Sequence, residues 1–100
     1  MEVIFRTNKL RDCFLNSKKA IKTYGDVVGK KYIQRIQIIK AVASLDDLIV
    51  QQPLRCHELK GNRKGQYAIN LTGQCRLIFT LEGETLNVVK IEEVSKHYDD

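Results

Sequence analysis

The residues best suited to chemistry form a short cationic stretch just past the middle of the chain. Residues 57–65 read His-Glu-Leu-Lys-Gly-Asn-Arg-Lys-Gly, so that Lys60, Arg63 and Lys64 stand beside glycines, shortly after Arg55. Glycine lets a backbone approach a ligand closely, and lysine and arginine neutralise phosphate. The spacing matches neither a Walker A loop nor a dinucleotide fingerprint. The stretch indicates a phosphate-binding loop, with a merely solvated polar loop as the alternative.

Arg76 is a single cation within an otherwise apolar run from Cys75 to Phe79. Because burying an unpaired guanidinium is costly, Arg76 must either pair with a carboxylate or emerge into a cleft lined by the sheet. The carboxylates considered for such a pair are Glu82, Glu84, Glu92 and Glu93.

The groups that exchange protons most readily near neutral pH are His57 and His97. His97 belongs to the run Lys96-His97-Tyr98, whose other two side chains can also transfer protons. For either histidine the alternative is an idle side chain. No zinc-motif spacing joins the histidines and no cysteines form a CxxC pair, so we expect no metal site. Cys56 and His57 are not a nucleophile–base pair, because adjacent strand residues point to opposite faces.

The charge distribution favours a polyanionic partner. The chain has 100 residues, of which 17 are basic and 12 acidic, for a net charge of +5. Residues 55–76 carry five basic side chains against Glu58 alone, whereas residues 77–100 are net acidic. A compact basic stretch on a small basic domain is typical of nucleic-acid binding.

Length and composition predict one globular domain over residues 1–100. Apolar residues make up 43% of the chain, which suffices for a modest core and argues against wholesale disorder. The apolar runs are too short to span a membrane and the N-terminus lacks a secretory signal. We therefore expect a cytoplasmic protein with reduced thiols.

The first quarter of the chain predicts a strand and one or two helices. Residues 3–5 are apolar and β-prone, and predict a short strand. Residues 9–16 follow Asn8, a candidate helix cap. Residues 17–25 either extend that helix or form a loop that ends at a glycine.

The second quarter contains the clearest helix. Over residues 26–43, apolar side chains recur at three- and four-residue steps with lysine and arginine between them. A short helix over 45–51 should follow, because Ser44 and a carboxylate three residues later resemble a capping box. It should stop before Pro53.

The remaining chain predicts an antiparallel meander. Strands are expected over 66–71, 75–81 and from 86 to 91 or 94, joined by glycine-containing turns. Alternation in the middle strand places on one face Cys75, Leu77, Phe79 and Leu81, and on the other Arg76, Ile78 and Thr80. The fold class is thus α+β: an N-terminal strand and two to three helices packed on a C-terminal antiparallel β-meander.

These features, in this order, resemble the RelE/ParE toxin superfamily, and within it the HigB branch of bacterial toxin–antitoxin systems. The resemblance is carried by His-Glu-Leu-Lys-Gly-Asn-Arg-Lys-Gly-Gln-Tyr over 57–67 and by Arg-Leu-Ile-Phe over 76–79. A long helix precedes them, and a strand leading to Lys96-His97-Tyr98 follows. The resemblance implies the RelE-like fold of a small microbial RNase.

The resemblance further implies a ribosome-dependent mRNA endonuclease. The RNA 2′-hydroxyl attacks the neighbouring phosphate, so neither metal nor cofactor is needed. By their match to the branch, Arg76 stabilises the phosphate, His57 transfers a proton and Lys60 contacts the phosphate. The cations that would hold the message or ribosomal RNA are Arg55, Arg63 and Lys64.

The C-terminus departs from the branch, which commonly ends in an Asp-Tyr-His-like segment. Here the order of the aromatic and the imidazole is exchanged, since the chain reads Lys96-His97-Tyr98. The resemblance assigns a proton transfer to His97, with Tyr98 as a stacking or acid–base helper.

If the chain is an RNase of this kind, Arg76→Ala should abolish growth inhibition and leave the fold intact.

The partners implied by the resemblance are the ribosome with its mRNA and a HigA-like helix-turn-helix antitoxin, which alone would bring the toxin to operator DNA. No membrane partner is implied. The outer face of helix 26–43 and the stretch 55–76 suit an acidic partner.

Two other classes of function remain open. ParE-like members share the fold and inhibit DNA gyrase without cleaving RNA, and a non-catalytic or degenerate RNA-binding member would also use the cationic loop. Convergence of His57, Lys60, Arg76 and His97 on one cleft would favour the nuclease.

Overall fold

The computed structural model describes residues 1–96 and confirms the α+β class. The helices and strands are β1 Glu2–Phe5, α1 Asn8–Leu15, α2 Ser17–Tyr24, α3 Asp26–Ala41, α4 Leu45–Ile49, β2 His57–Glu58, β3 Gln66–Asn70, β4 Arg76–Glu82 and β5 Val88–Ser95. Two 3₁₀ turns, Gln52–Leu54 and Gly61–Arg63, flank β2.

The strands of the described residues form one sheet in the order β1-β5-β4-β3-β2. The expected meander is confirmed, because β3, β4 and β5 pair antiparallel in sequence order. β1 pairs parallel with β5, with Glu2 opposite Val88, and β2 pairs antiparallel with β3, with His57 opposite Ala68. β2 was not predicted, because a strand of two residues shows no alternation, and the place of β1 in this sheet was not predicted either.

The helix starts differ in detail from the expectations. Thr7 caps α1, since the Leu10 amide donates to its hydroxyl at 3.2 Å, and Asn8 is the first helical residue. Residues 17–25 are neither an extension of α1 nor a loop. Asn16 interrupts the helix and caps a new one, α2, by accepting from the amides of Lys18 and Lys19.

α3 and α4 lie close to their expected positions and are each two residues shorter than expected. α4 stops before Pro53, as expected. The capping box was wrong: Ser44 makes no side-chain cap bond, and the Asp47 carboxylate accepts instead from the Ala43 amide at 3.2 Å. No helix among the described residues is long and apolar enough to cross a membrane.

The helices pack on one face of the sheet. Tyr32, Ile36 and Ile39 of α3 belong to the same buried cluster as Leu77 and Phe79 of β4. The alternating residue Ile78 faces the other side, in a small cluster with Leu59 and Ala68. We call this second side, which also carries Arg76, the open face. It is where the loop of residues 59–65 attaches.

Two tyrosines lie inside the helical layer. The Tyr32 hydroxyl donates to the Leu10 carbonyl at 2.7 Å, and the ring centroids of Tyr24 and Tyr32 are 5.2 Å apart. Burial, with smaller contributions from Cys13, raises the pKa of Tyr24 to about 12. Burial, Tyr24 and Cys13 raise the pKa of Tyr32 still further above its ordinary value.

We therefore expect the free energy of unfolding to fall as pH rises above 10. Both pKa values are raised in the folded state, so the unfolded chain loses these protons first, near 10.0. Each tyrosine then lowers stability by about 1.4 kcal/mol per pH unit until its folded pKa is reached. Urea unfolding at about pH 9 and about pH 11 measures the loss. Tyr32→Phe should reduce it, and equal stability at both pH values would contradict the prediction.

Candidate functional site

The strand β2 presents His57 at the edge of the open face. The 3₁₀ turn Gln52–Leu54 ends at Arg55, whose φ of 49° turns the chain toward the sheet. Because His57 lies opposite Ala68 and Ala68 opposite Ile78, the imidazole shares the open face. A cavity of about 440 Å³ is lined by Arg55, His57, Glu58, Leu59 and Lys60. Residues 55–60 thus contribute two cations and one imidazole to the same cavity.

A backbone contact sets the protonation pattern of His57. Its Nδ1 lies 2.8 Å from the carbonyl oxygen of Arg55. A carbonyl oxygen only accepts, so Nδ1 carries the proton and donates to it. In the neutral ring the lone pair is then on Nε2. His57 has the tautomer required of a base that takes a proton at Nε2.

The loop of residues 59–65 separates its three cations. Lys60 and Lys64 are exposed and line a second cavity, of about 370 Å³, on the loop. Arg63 instead folds back, because its Nε and Nη2 donate to Gln66 Oε1 at 3.1 and 2.9 Å. Its Nη2 also lies 3.8 Å from Glu93 Oε2. Of the expected RNA-binding cations in this loop, Lys64 is the more available and Arg63 is engaged with the sheet.

Glu58 was not predicted as a member of the candidate site. Its Oε2 accepts a hydrogen bond from the Gly65 amide at 3.0 Å and so closes the loop. The available signal was its position as the single acidic residue among the basic side chains of residues 55–76. Gln66, which holds Arg63, carried no comparable signal.

Arg76 begins β4 and lies on the open face, opposite Asn70 and Ser95. It is 5% exposed. Its Nη1 donates to the carbonyl oxygens of Thr72, Gly73 and Cys75, which lie 2.6, 3.2 and 3.1 Å away. Backbone carbonyls of the turn before β4 therefore hold Nη1, and not one of the glutamates considered from sequence.

These bonds change the expectation for Arg76→Ala, which sequence alone predicted to leave the fold intact. The substitution removes charge-assisted hydrogen bonds from three turn carbonyls. We expect it to lower the free energy of unfolding by about 3 kcal/mol. Arg11→Ala is the matched control, because Arg11 is exposed and pairs only weakly with Asp12, at 3.5 Å. Urea unfolding compares the two, and equal small losses would contradict the structural role.

The candidate site residues converge in part. Arg55, His57 and Lys60 share one cavity. Arg76 lies on the same face of the sheet, on β4, which is two strands away from β2. It stands two residues before Ile78, the β4 residue level with His57. Strand geometry puts the Cα atoms of His57 and Arg76 about 12 Å apart, a span that one nucleotide phosphate with its flanking sugars can bridge. The two C-terminal candidates, His97 and Tyr98, lie outside the described residues.

Cys56 directly precedes β2 and is buried. Burial raises the pKa of the Cys56 thiol to about 12, so this thiol stays protonated at neutral pH and is a poor nucleophile. Within residues 1–96, no group of three histidine, cysteine, aspartate or glutamate side chains is placed to hold a metal ion.

Comparisons with known proteins identify the fold. No protein-family model and no curated protein sequence matches the chain. The chain does match one chain of the YoeB–YefM complex from Staphylococcus aureus, at a TM-score of 0.64 and 19% identity, over 98% of this chain and 98% of that one. It matches the YoeB/ParE toxin from Agrobacterium tumefaciens at 0.63 and 16% identity, over 98% of this chain and 100% of that one. It matches YafQ from E. coli strain BL21(DE3) at 0.57 and 17% identity, over 95% and 91%. The chain therefore has the fold of the YoeB and YafQ toxins, which are members of the RelE/ParE-like superfamily of toxin–antitoxin systems.

Proposed function

We propose that this chain is the toxin of a type II toxin–antitoxin system, of the HigB type, and that it cleaves mRNA on the ribosome. The observation that carries the proposal is the cavity shared by Arg55, His57 and Lys60. It lies at the edge of the open face, which also carries Arg76, in a chain that has the fold of known toxins. This cavity joins a proton-transfer group to phosphate-neutralising cations. A module that only binds RNA needs the cations but not the imidazole.

The proposed reaction begins with the RNA 2′-hydroxyl. His57 takes its proton at Nε2, which the bond from Nδ1 to the Arg55 carbonyl orients for this role. The 2′-oxygen then attacks the adjacent phosphorus, and the bond from phosphorus to the 5′-oxygen breaks. Because the nucleophile belongs to the RNA, the reaction requires no metal-bound water and no cofactor.

Cations and an acid complete the reaction. Lys60 stabilises the charge that develops on the phosphorane oxygens, and the positive charge of Arg76 does so from the start of β4. The leaving 5′-oxygen requires a proton donor. We assign this role to His97, assisted by Tyr98, on the resemblance to the HigB branch. Arg55 and Lys64 hold neighbouring phosphates, and Arg63 joins them if RNA displaces Glu93.

The proposal includes a protein partner. YoeB with YefM and YafQ with DinJ have been solved as toxin–antitoxin complexes. We infer that an antitoxin neutralises this chain as well, and propose a HigA-like helix-turn-helix protein that also binds the operator. The chain would act as a single domain in the cytoplasm, where it meets ribosomes and translated messages.

Induction of the chain alone in a bacterium, followed by primer extension on an abundant message, tests the proposal. We expect growth arrest and new 5′ ends within codons. The new ends should vanish when translation initiation of that message is blocked by mutating its start codon, because the proposed substrate is mRNA on the ribosome. The matched control is the same message from uninduced cells.

The other outcomes separate the alternatives. Arrest with intact messages would contradict the nuclease and favour a ParE-like gyrase inhibitor. Cleavage that persists on the untranslated message would contradict ribosome dependence. Growth without arrest would favour a degenerate, RNA-binding member.

A further inference from the structure

Glu58 is the one carboxylate within the basic stretch of residues 55–76. It lines both cavities of that stretch. A negative charge in the lining of such a cavity would weaken the binding of a phosphate there through Coulomb repulsion. An acidic side chain at this position therefore calls for a reason other than its charge.

The hydrogen bond of Glu58 supplies that reason. Its Oε2 accepts from the Gly65 amide, seven residues away, at 3.0 Å. Gly65 has a φ of 94°, in the region that favours glycine, and this conformation turns the chain back into β3. The residues that follow Glu58 and Gly65 are also joined, because the Leu59 amide donates to the Gln66 carbonyl at 2.8 Å. The carboxylate thus ties the end of the loop to its beginning.

The nearby lysines are not what Glu58 neutralises. Lys60 and Lys64 line the same cavity as Glu58. Within residues 1–96, however, neither ammonium group lies within salt-bridge distance of a carboxylate. The Glu58 carboxylate binds backbone and leaves both ammonium groups to the cavity.

The rest of the loop is anchored independently. Leu59 is 5% exposed and packs with Ala68 and Ile78 on the open face. Arg63 is held by Gln66 through two hydrogen bonds. At the other end, the Lys64 amide donates to the Gly61 carbonyl at 3.1 Å, and the hydrogen bond of the Gly65 amide is the one that Glu58 accepts. Fixing this end before a ligand arrives lowers the conformational entropy that binding must remove.

We propose that Glu58 is a positioning residue, whose carboxylate oxygen holds the Gly65 amide so that Lys60 and Lys64 are set for the phosphates of an RNA strand. The proposal rests on the proposed function, since RNA is taken as the ligand. The proposal predicts that tight RNA binding needs the acceptor oxygen of Glu58, and that the negative charge of Glu58 weakens RNA binding.

Two substitutions separate the oxygen from the charge. Glu58→Gln keeps an acceptor oxygen at nearly the same place and removes the charge, whereas Glu58→Ala removes both. The matched control is Glu84, an exposed carboxylate in the turn between β4 and β5, changed to Gln and to Ala. Each control pair changes the net charge by the same amount as the corresponding Glu58 pair.

Affinity for a single-stranded RNA with 2′-O-methyl groups, which cannot be cleaved by 2′-hydroxyl attack, is the first readout. We expect Glu58→Gln to bind as tightly as the parent or up to about threefold tighter, because one repulsive charge is gone. Glu58→Ala should bind roughly tenfold more weakly than Glu58→Gln at the same net charge. The two Glu84 variants should bind equally. Equal binding by the two Glu58 variants would overturn the proposal.

Amide hydrogen exchange of Gly65, followed by NMR, is the second readout and needs no ligand. Glu58→Gln should keep the amide protected, and Glu58→Ala should speed its exchange by roughly tenfold or more. Unchanged exchange in Glu58→Ala would overturn the proposal even if RNA binds. Failure of the parent chain to bind RNA would instead overturn RNA as the ligand, while the exchange experiment still decides the role of Glu58.

Discussion

Replacing His57 with asparagine should lower the rate of mRNA cleavage by roughly 100- to 10,000-fold, the usual contribution of a general base. Asparagine keeps a side-chain N–H where Nδ1 donates to the Arg55 carbonyl, at 2.8 Å in the parent. It cannot take a proton from a 2′-hydroxyl. Because His57 is half-exposed on a two-residue strand, the change should leave the fold and the neighbouring cations in place.

Cleavage in a purified translation system measures this loss, with urea unfolding as the check that the variant is folded. Lys18→Ala is the control for effects that any surface substitution could have on solubility or activity. Lys18 is an exposed cation on α2, away from the open face. It should retain full activity. A folded His57→Asn chain that cleaves at the parent rate would remove His57 from the mechanism.

Replacing Gly29 with alanine should produce a large loss of stability, although it adds only one methyl group. A Cβ at Gly29 would lie 2.8 Å from the carbonyl carbon and oxygen of Ala20 and from the amide nitrogen of Ile21. These are backbone atoms of α2, which cannot move aside as a flexible side chain can. We expect α2 and α3 to be pushed apart at a cost of about 3 kcal/mol or more. The gain of about 1 kcal/mol in helix propensity does not offset this cost.

Gly73→Ala is the matched control for this substitution. A Cβ at Gly73 meets no atom within 4 Å, and its φ is outside the range that favours glycine. The free energy of unfolding of Gly73→Ala should differ from that of the parent by less than about 1 kcal/mol. Chemical unfolding of both variants makes the comparison. Equal stabilities would show that α2 and α3 are not packed backbone to backbone at Gly29.

The parts of the fold that could be predicted are those with a local signal. The amphipathic pattern of α3 and the glycine turns around β3 and β4 are such signals, and each element lies within a few residues of its expected bounds. The parallel pairing of β1 with β5 joins residues 86 positions apart, and nothing local specifies it. The separate helix α2 was not predicted, because Asn16 is also compatible with a continuous helix and with a loop.

The candidate site shows the same division. The cationic loop was predictable because its residue types and glycines are contiguous, and Arg55, His57 and Lys60 do share a cavity. The bonds that Arg76 donates to three turn carbonyls were not predictable, because they depend on how the turn closes over β4. The contact of Arg63 with Glu93 of β5 likewise requires the pairing of β3, β4 and β5.

Analysis of the RNA ends made by the purified chain, on a message translated by ribosomes, tests the central claim most directly. Attack by the 2′-hydroxyl leaves a 2′,3′-cyclic phosphate on the upstream fragment and a 5′-hydroxyl on the downstream fragment. We expect those ends, and no cut where the nucleotide before the scissile phosphate lacks its 2′-hydroxyl. An intact message, or fragments that begin with a 5′-phosphate, would contradict the account.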